Sequence, residues 1–394
     1  MTNKANMNVA IIDPSGFTLP YDHCLASALA KQSCGVMLAT IRAPSELWAD
    51  QPTYELCEHF YRFGGRFPRN KVRTFVKGCE HPLDLERLIH RLQRLQPDII
   101  HFQWIPLPIV DFFFLQRLRK IAPLVLTVHD TEPFHGAPSS RLQLIGIKAA
   151  YKCFDHYIVH TYQSKDVLLR KFALTEDRVS IIPHGVFSYY KELIRGKEGS
   201  YRLQNHLGLP GKKNVLFFGV LKPYKGIDIL LEAFARLPEP IIRDTVLRIV
   251  GYPMMQTEPL KIRAQSLGIA DRINWDLRFV EEIEVASYFA QADVVVLPYR
   301  RIDQSGVIMV ALAFEKPIIA SRVGGFAETI TDGEHGLLVE PGDVGSLAQS
   351  LSYILSEDEL RARMGVNIKE LTSGALSWEA IASKTLGVYG KLKR

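Results

Sequence analysis

Asn214 to Phe234 reads N-V-L-F-F-G-V-L-K-P-Y-K-G-I-D-I-L-L-E-A-F and passes from an apolar strand through a turn bearing glycine and lysine into an amphipathic helix. Val215 to Phe218 is a continuous apolar run, as a strand buried on both faces of a parallel sheet requires. Ile227, Leu230, Leu231 and Phe234 then recur at helical spacing. Gly219 lets a ligand approach the backbone, and Gly226 stands at the helix entrance. Lys222 and Lys225 bring ammonium groups to a place where a helix N-terminus already favours negative charge. The layout suits an anion, with phosphate the natural ligand; a plain strand-loop-helix corner with two solvated lysines is the alternative this segment alone leaves open.

The chain has 394 residues, and domains of roughly 100 to 200 residues make two the expected number. With 47% hydrophobic and 23% charged residues it reads as globular. A formal charge of +6 is modest for this length, which argues against a general nucleic-acid binder and leaves room for a local basic face. Five scattered cysteines form no C-x-x-C pair, so neither a disulfide framework nor a zinc site is expected, and the compartment reads as reducing and cytoplasmic. No apolar run approaches the ~18 residues of a membrane span.

Apolar strands alternate with helical patterns in both halves, predicting a doubly wound α/β fold twice over. The first series comprises Met7 to Ile12, Gly35 to Thr40, Asp98 to Phe102, Leu124 to His129, His156 to His160 and Val179 to Ile182, with helices near Asp84 to Leu95, Asp111 to Ile121 and Ser164 to Phe172. The expected division is an N-terminal acceptor-binding domain over 1–190, a polar, basic linker over 191–213, a C-terminal domain over 214–376 and a closing helix over 377–394 that packs back on the first domain.

In the second half, Leu297-Pro298-Tyr299 ends a strand and Gln304-Ser305-Gly306 opens a helix over Val307 to Phe314. Ser305 as N-cap, with Gly306 beside it, offers backbone N–H groups to a diphosphate. Close behind, Gly324 and Gly325 again permit close backbone approach, and Glu328 is placed to accept from a hydroxyl. Three phosphate-compatible loops at the C-terminal ends of parallel strands point to a nucleotide-type ligand.

These motifs, with L-R-I-V-G, A-D-V-V-V-L-P-Y, Q-S-G-V-I-M-V-A-L-A-F-E-K-P-I-I-A-S and V-G-G-F-A-E-T-I-T-D-G-E-H-G-L-L-V-E-P-G-D in that order, resemble those of GT-B-fold glycosyltransferases of the family-4 type. The resemblance implies two Rossmann-like domains facing each other across a cleft, and a nucleotide-sugar donor held by the C-terminal one. It places Lys225 near the diphosphate, Ser305 and Gly306 around the phosphates, and Gly324, Gly325 and Glu328 near sugar or nucleotide. Two departures stand out. Val220 occupies the position after Gly219 where members often carry arginine, leaving Lys222 to supply that charge. The paired glutamates counted back from Lys316-Pro317 fall on Ile302 and Val310, so both carboxylates are absent, and Asp303 is the candidate replacement.

In the first half, His129 and Asp130 end the strand V-L-T-V-H-D, where a histidine can bond a reacting sugar or shuttle a proton. The resemblance puts His129 near the transferred sugar, with Asp130 to orient it or act as base, and brings Gly16 of the first strand-helix turn close to donor phosphate. Asp22 and His101 are weaker candidates at the acceptor, as is His184. The run H-F-Y-R-F-G-G-R-F-P-R-N-K-V-R-T-F-V-K, His59 to Lys77, alternates cations with aromatics, and Phe112 to Phe114 sit beside Arg117, Arg119 and Lys120. Both suit an anionic membrane surface, with a solvated charged loop as the plain alternative. The expectation is a hexosyltransferase needing neither metal nor cofactor, peripheral on the inner face of the plasma membrane and acting on a lipid-linked glycan or exopolysaccharide precursor. An epimerase or hydrolase of the same fold, or a degenerate nucleotide-sugar-binding subunit, are the alternatives.

Overall fold

The computed structural model describes residues 7–42, 52–68, 71–131, 144–194 and 211–393. The chain divides into two compact units, Met1–His184 together with Trp378–Arg394, and Gly185–Ser377.

The first unit is built on a seven-stranded parallel sheet in the order β3-β2-β1-β4-β5-β6-β7. Its strands are β1 (Asn8–Asp13), β2 (Gly35–Ile41), β3 (Glu55–Phe60), β4 (Ile99–Phe102), β5 (Leu124–Val128), β6 (His156–Val159) and β7 (Val179–Ile181). Every residue of β4, β5 and β6 is buried, which is why their sequences are mostly apolar and their polar members His101, Thr127 and His156 lie inside. β3 was not expected: it lies at the sheet edge, where exposed and buried residues mix and charges interrupt the pattern. The helix Lys71–Leu95 starts well before the expected Asp84. Its first half is held by His81, wholly buried, whose Nε2 lies 2.7 Å from Asp111 Oδ1 and whose Nδ1 lies 2.8 Å from the Tyr61 hydroxyl. Arg69 and Asn70 of the basic run lie outside the described residues.

The helix Trp378–Leu392 belongs to this unit and packs along the helix Leu19–Lys31. Gln32 Nε2 donates to the Glu379 carbonyl at 2.9 Å, and the Tyr389 hydroxyl lies 2.6 Å from His101 Nδ1.

The second unit carries a six-stranded parallel sheet in the order β10-β9-β8-β11-β12-β13. Its strands are β8 (Lys213–Phe218), β9 (Thr245–Val250), β10 (Ile273–Asp276), β11 (Val294–Leu297), β12 (Ile318–Ser321) and β13 (Gly336–Val339). The unit boundary falls at His184/Gly185 and not at 190. Residues beyond it join the second unit because the helix Tyr189–Ile194 packs on the helices Glu282–Gln291 and Gly306–Ala313, with the Tyr189 hydroxyl donating to Glu282 at 2.9 Å and Lys191 to Glu315 at 2.9 Å. Most of the expected linker, 195–210, lies outside the described residues. Each sheet reverses its strand order beside its first strand, between β1 and β4 and between β8 and β11. In open α/β sheets these switch points are where ligands bind.

Several histidines of the first unit are held neutral by burial, His101 down to about 3 and His156 and His160 down to about 4. The unfolded chain takes up protons near pH 6.5 that the folded chain refuses. Their contribution to stability is therefore present above that pH and is lost as pH falls from about 6.5 toward 4. Urea midpoints should fall from pH 6.5 to 4.5, where several histidines outweigh any single group of opposite sign, and a flat profile from pH 6.5 to 5 would refute the assignment. Tyr389→Phe strips His101 Nδ1 of its partner and should cost about 1–3 kcal/mol at pH 7 in the same assay.

Candidate active site

At the switch point of the second sheet the chain leaves β8 at Gly219, makes a single tight turn over Pro223–Lys225 and enters the helix Ile227–Ala235 through Gly226. Gly226 has φ 69°, and a Cβ there would strike the Pro298 carbonyl at the end of β11, so only glycine lets the turn lie against that strand. Arg300 fastens the turn from the β11 side. Its backbone N–H donates to the Tyr224 carbonyl at 2.7 Å, and its guanidinium donates to the Pro223 carbonyl at 2.8 Å and to both Asp228 oxygens at 3.1 and 2.6 Å.

The turn thereby buries Lys225, which is 7% exposed, with its ammonium 5.0 Å over the Tyr299 ring. A Cβ on Gly219 would lie 2.9 Å from that ammonium and 3.2 Å from Val307 in the first turn of the helix Gly306–Ala313. The end of β8, the buried ammonium, the Tyr299 ring after β11 and the start of the next helix therefore meet at one point. No oxygen among the described residues accepts from Lys225 Nζ, and burial lowers its pKa to about 8. At the helix start, Ser305 is the N-cap but makes no side-chain cap bond, while Gln304 Oε1 accepts from the Ser305 N–H at 2.8 Å. A buried cation with no counter-charge among the described residues, beside uncapped helix N–H groups, is an arrangement suited to an anion.

Of the expected donor residues, Gly219, Lys225, Ser305 and Gly306 are brought together. Gly324 and Gly325 pack on the backbone leading into Ser305: Gly325 N–H donates to the Asp303 carbonyl at 2.8 Å, and Gly324, with φ 48°, leaves no room for a Cβ beneath the Ile302 carbonyl. Lys222 lines a separate groove of about 420 Å³ on the flank of the turn with Tyr224, Asp228, Met255 and Arg300. Val220 is 39% exposed, and Glu328 is exposed on the short helix Gly324–Thr329. Sequence reasoning missed Tyr299 and Arg300 as supports of Lys225. The signal was present in the aromatic and the cation that follow the strand end, L-P-Y-R.

In the first unit, Gly16 lies in the turn after β1, and the residues beyond it reach the end of β5. Trp104 Nε1 donates to Thr18 Oγ1 at 2.9 Å, Phe17 meets the Trp104 ring edge-on at 5.5 Å, and Trp104 stacks on His129 at 5.5 Å. Both ring nitrogens of His129 are engaged, Nε2 at 3.0 Å from the Gln103 amide and Nδ1 at 3.2 Å from His160 Nε2. His160 Nδ1 in turn faces the Ile182 carbonyl at 3.0 Å and must donate to it. With acceptor oxygens at both ends this chain of three bonds needs three protons, and two neutral imidazoles supply two. Burial holds both rings well below the ordinary histidine range, His160 at about 4, so at neutral pH Gln103 must turn its amide nitrogen, otherwise buried without a partner, toward His129. His129 thus has no spare nitrogen to take a proton from an acceptor in this arrangement. Asp130 is half-buried beside it, at a cavity of about 20 Å³ lined also by Gln103, Thr127 and Tyr151.

Two acceptor expectations are corrected by burial. His101 is wholly inside, with Nε2 2.7 Å from Thr127 Oγ1 and Nδ1 on Tyr389, so it links β4, β5 and the last helix. Asp22 is also wholly buried and meets no surface from which a hydroxyl approaches.

Residues 202–371 match the family described as Glycosyl transferases group 1, and residues 23–187 match Glycosyltransferase Family 4. A D-inositol 3-phosphate glycosyltransferase 2 of Catenulispora acidiphila is 30% identical over 294 residues, 71% of this chain and 67% of that protein. A D-inositol 3-phosphate glycosyltransferase of Corynebacterium efficiens is 31% identical over 284 residues, 68% of this chain and 66% of that protein. The chain therefore belongs to the group 1 glycosyltransferases and is a glycosyltransferase with the GT-B type of fold. Sucrose-phosphate synthase of Thermosynechococcus elongatus shares that fold with a TM-score of 0.67 and 22% identity, covering 98% of this chain and 99% of that one. Anabaena HepE, solved with UDP and glucose, gives 0.70 at 17% identity, covering 98% and 100%.

Gly226→Ala tests the turn that buries Lys225. It forces a disfavoured φ and a backbone collision, and should destabilise the second unit by more than about 1 kcal/mol in denaturant unfolding. Gly268→Ala, equally left-handed at φ 70° but with open space around its Cβ, should cost less.

Proposed function

We propose that this glycosyltransferase moves a hexosyl unit from a nucleotide sugar to an acceptor hydroxyl on a lipid-linked or oligosaccharide precursor, and that it does so without a metal ion. The observation that carries the donor half of this reading is Lys225: a buried ammonium, unmatched by any described anion, at the switch point of the second sheet beside the uncapped start of the helix Gly306–Ala313. A diphosphate supplies the missing charge. As the acceptor oxygen attacks the anomeric carbon and the bond to the diphosphate breaks, the electron pair departs on the nucleoside diphosphate, and the ammonium and helix N–H groups meet the growing charge there. This does the work a metal does elsewhere. That Anabaena HepE is known with UDP-glucose bound supports UDP over GDP.

The acceptor half rests on the surface of the first unit. Phe63, Phe75 and Leu83 are 60%, 73% and 58% exposed, and Phe63 and Leu83 share a groove of about 730 Å³ with Arg62, Arg87 and Arg91. Apolar side chains among guanidinium groups suit an anionic lipid surface. No helix among the described residues is long and apolar enough to cross a membrane.

Lys225→Ala should lower turnover by about 10²–10³-fold, the usual scale for one preorganised donor to a departing oxyanion, with a smaller change in donor dissociation constant. Turnover equal to the wild type removes Lys225 from the role. Because Lys225 loses its proton near pH 8, UDP affinity measured by calorimetry should be pH-independent below 8 and weaken above it by up to tenfold per unit. In Lys225→Ala the profile should be weak and flat. Activity should survive EDTA. Co-sedimentation with phosphatidylglycerol vesicles, lost in Phe75→Ser with Leu83→Ser and absent with neutral vesicles, tests the membrane half.

A further inference from the structure

At the switch point of the first sheet two carboxyl groups lie together with no cation among the described residues. Asp13, the last residue of β1, is wholly buried, and its Oδ1 accepts from the Ser15 N–H at 2.9 Å, the Ser15 hydroxyl at 2.7 Å and the Gly16 N–H at 3.0 Å. One oxygen of this carboxylate thus holds the whole turn that carries Gly16. Its Oδ2 is buried and receives no N–H. Asp22, in the first turn of the helix Leu19–Lys31, is also wholly buried, and neither of its oxygens receives an N–H, ammonium or guanidinium from the described residues. Its carboxyl faces the Asp13 carboxyl and the Thr18 hydroxyl.

Two buried carboxyl groups in contact cannot both ionise. Asp13, with three donors on one oxygen, is the better place for the negative charge. We propose that Asp22 is a positioning residue which, as a neutral carboxylic acid, donates its O–H to Asp13 Oδ2 and so clamps the first turn of its helix to the loop of Gly16. The bond uses the one Asp13 oxygen the loop leaves open. The clamp reaches the strand ends beyond it, since Thr18 also receives Trp104, which stacks on His129.

Among the described residues, the other groups facing the pair do not neutralise it. They are the Tyr21 side chain on the same helix, the Tyr54 hydroxyl, which bonds His23 Nδ1 at 2.8 Å, the Tyr61 hydroxyl toward Asp13, and Thr40 beside Asp13 across β1 and β2. Burial first, and then the Asp13 charge, raise Asp22 well above the carboxylate range. The folded chain consequently holds a proton that the unfolded chain has released above about pH 4. Stability from this bond is fully present below that pH and is lost as pH rises toward the folded value, by up to about tenfold in the folding constant per unit.

Asp22→Asn keeps a donor toward Asp13 but has no proton to lose. Urea unfolding of the full chain from pH 5 to 7 should therefore show the folding constant of Asp22→Asn gaining on that of the wild type by up to about tenfold per pH unit. Parallel profiles would overturn the proposal. Should the variant fail to fold, carbon-13 NMR of the wild type labelled at aspartate carboxyls decides: one resonance stays protonated above pH 6, and its absence overturns the assignment. Neither readout depends on what Gly16 binds. A further arm rests on the reading of that loop as part of the transferase site: Asp22→Leu should lose at least tenfold in kcat with little change in donor KM, and Asp22→Asn should recover most of it. Success of the stability arm with no kcat effect would retain the clamp and remove Gly16 from the donor reading.

Discussion

A buried ammonium with no anion among the described residues to meet it is the constraint around which the second unit is organised. Removing a lysine head from water is costly, and a protein ordinarily pairs it, neutralises it or leaves it at the surface. Here Arg300, gripping Asp228 and two carbonyls of the turn, and Gly226, lying against the Pro298 carbonyl, hold Lys225 inside over the Tyr299 ring. The cation–π contact offsets part of the desolvation and leaves the charge available. On the donor reading proposed above, an anion arriving there would return the energy held in the unmatched charge.

The first unit handles the opposite sign by a different device. Its switch point buries two carboxyls without a cation among the described residues, and on the clamp proposed above a proton takes the place of the counter-charge. The same unit keeps four histidines neutral inside, each tied by ring nitrogens to side chains or carbonyls of neighbouring strands. These bonds cross from β4 to β5, from β5 to β6 and from β6 to β7, the first and last within the paired strands and the middle one just beyond their ends. A polar network across these strands ties them together, at the expense of stability in acid.

The alternation of buried strands was legible because residues such as Val294 to Leu297 are covered on both faces and tolerate nothing polar. β3 and the early turns of Lys71–Leu95 were not, since an edge strand and a half-exposed helix carry charges that break the periodicity. The turn around Lys225 could be read because glycine and lysine punctuate an otherwise apolar segment. The burial of Lys225 could not, because it depends on Arg300 and Tyr299, more than seventy residues away in sequence and adjacent only once β8 and β11 pair. The roles of His101 and Asp22 were misread for the same reason. A strand-end histidine and a helix-start aspartate look alike in sequence whether they face solvent or another helix, and here the helix Trp378–Leu392, from the far end of the chain, covers His101.

The apolar residue at Val310 fits this pattern of charge economy. The helix Gly306–Ala313 is buried from Ile308 onward, and Val310 is 6% exposed. A carboxylate at that depth, in the absence of donors, would carry a desolvation cost of the kind already present at Lys225. With valine there, the polar groups that the loop presents are those of Asp303, Gln304 and Ser305. Gln304 turns its amide oxygen back onto the Ser305 N–H, and Asp303 gives its carbonyl to Gly325. The paired glycines and the Gln-Ser-Gly start are therefore one structural unit: Gly324 and Gly325 let the loop close down, and the loop so held sets the position of the helix N-terminus beside Lys225. Backbone placement shapes this end of the sheet, with Gly324 and Gly325 packed against the Ile302 and Asp303 carbonyls.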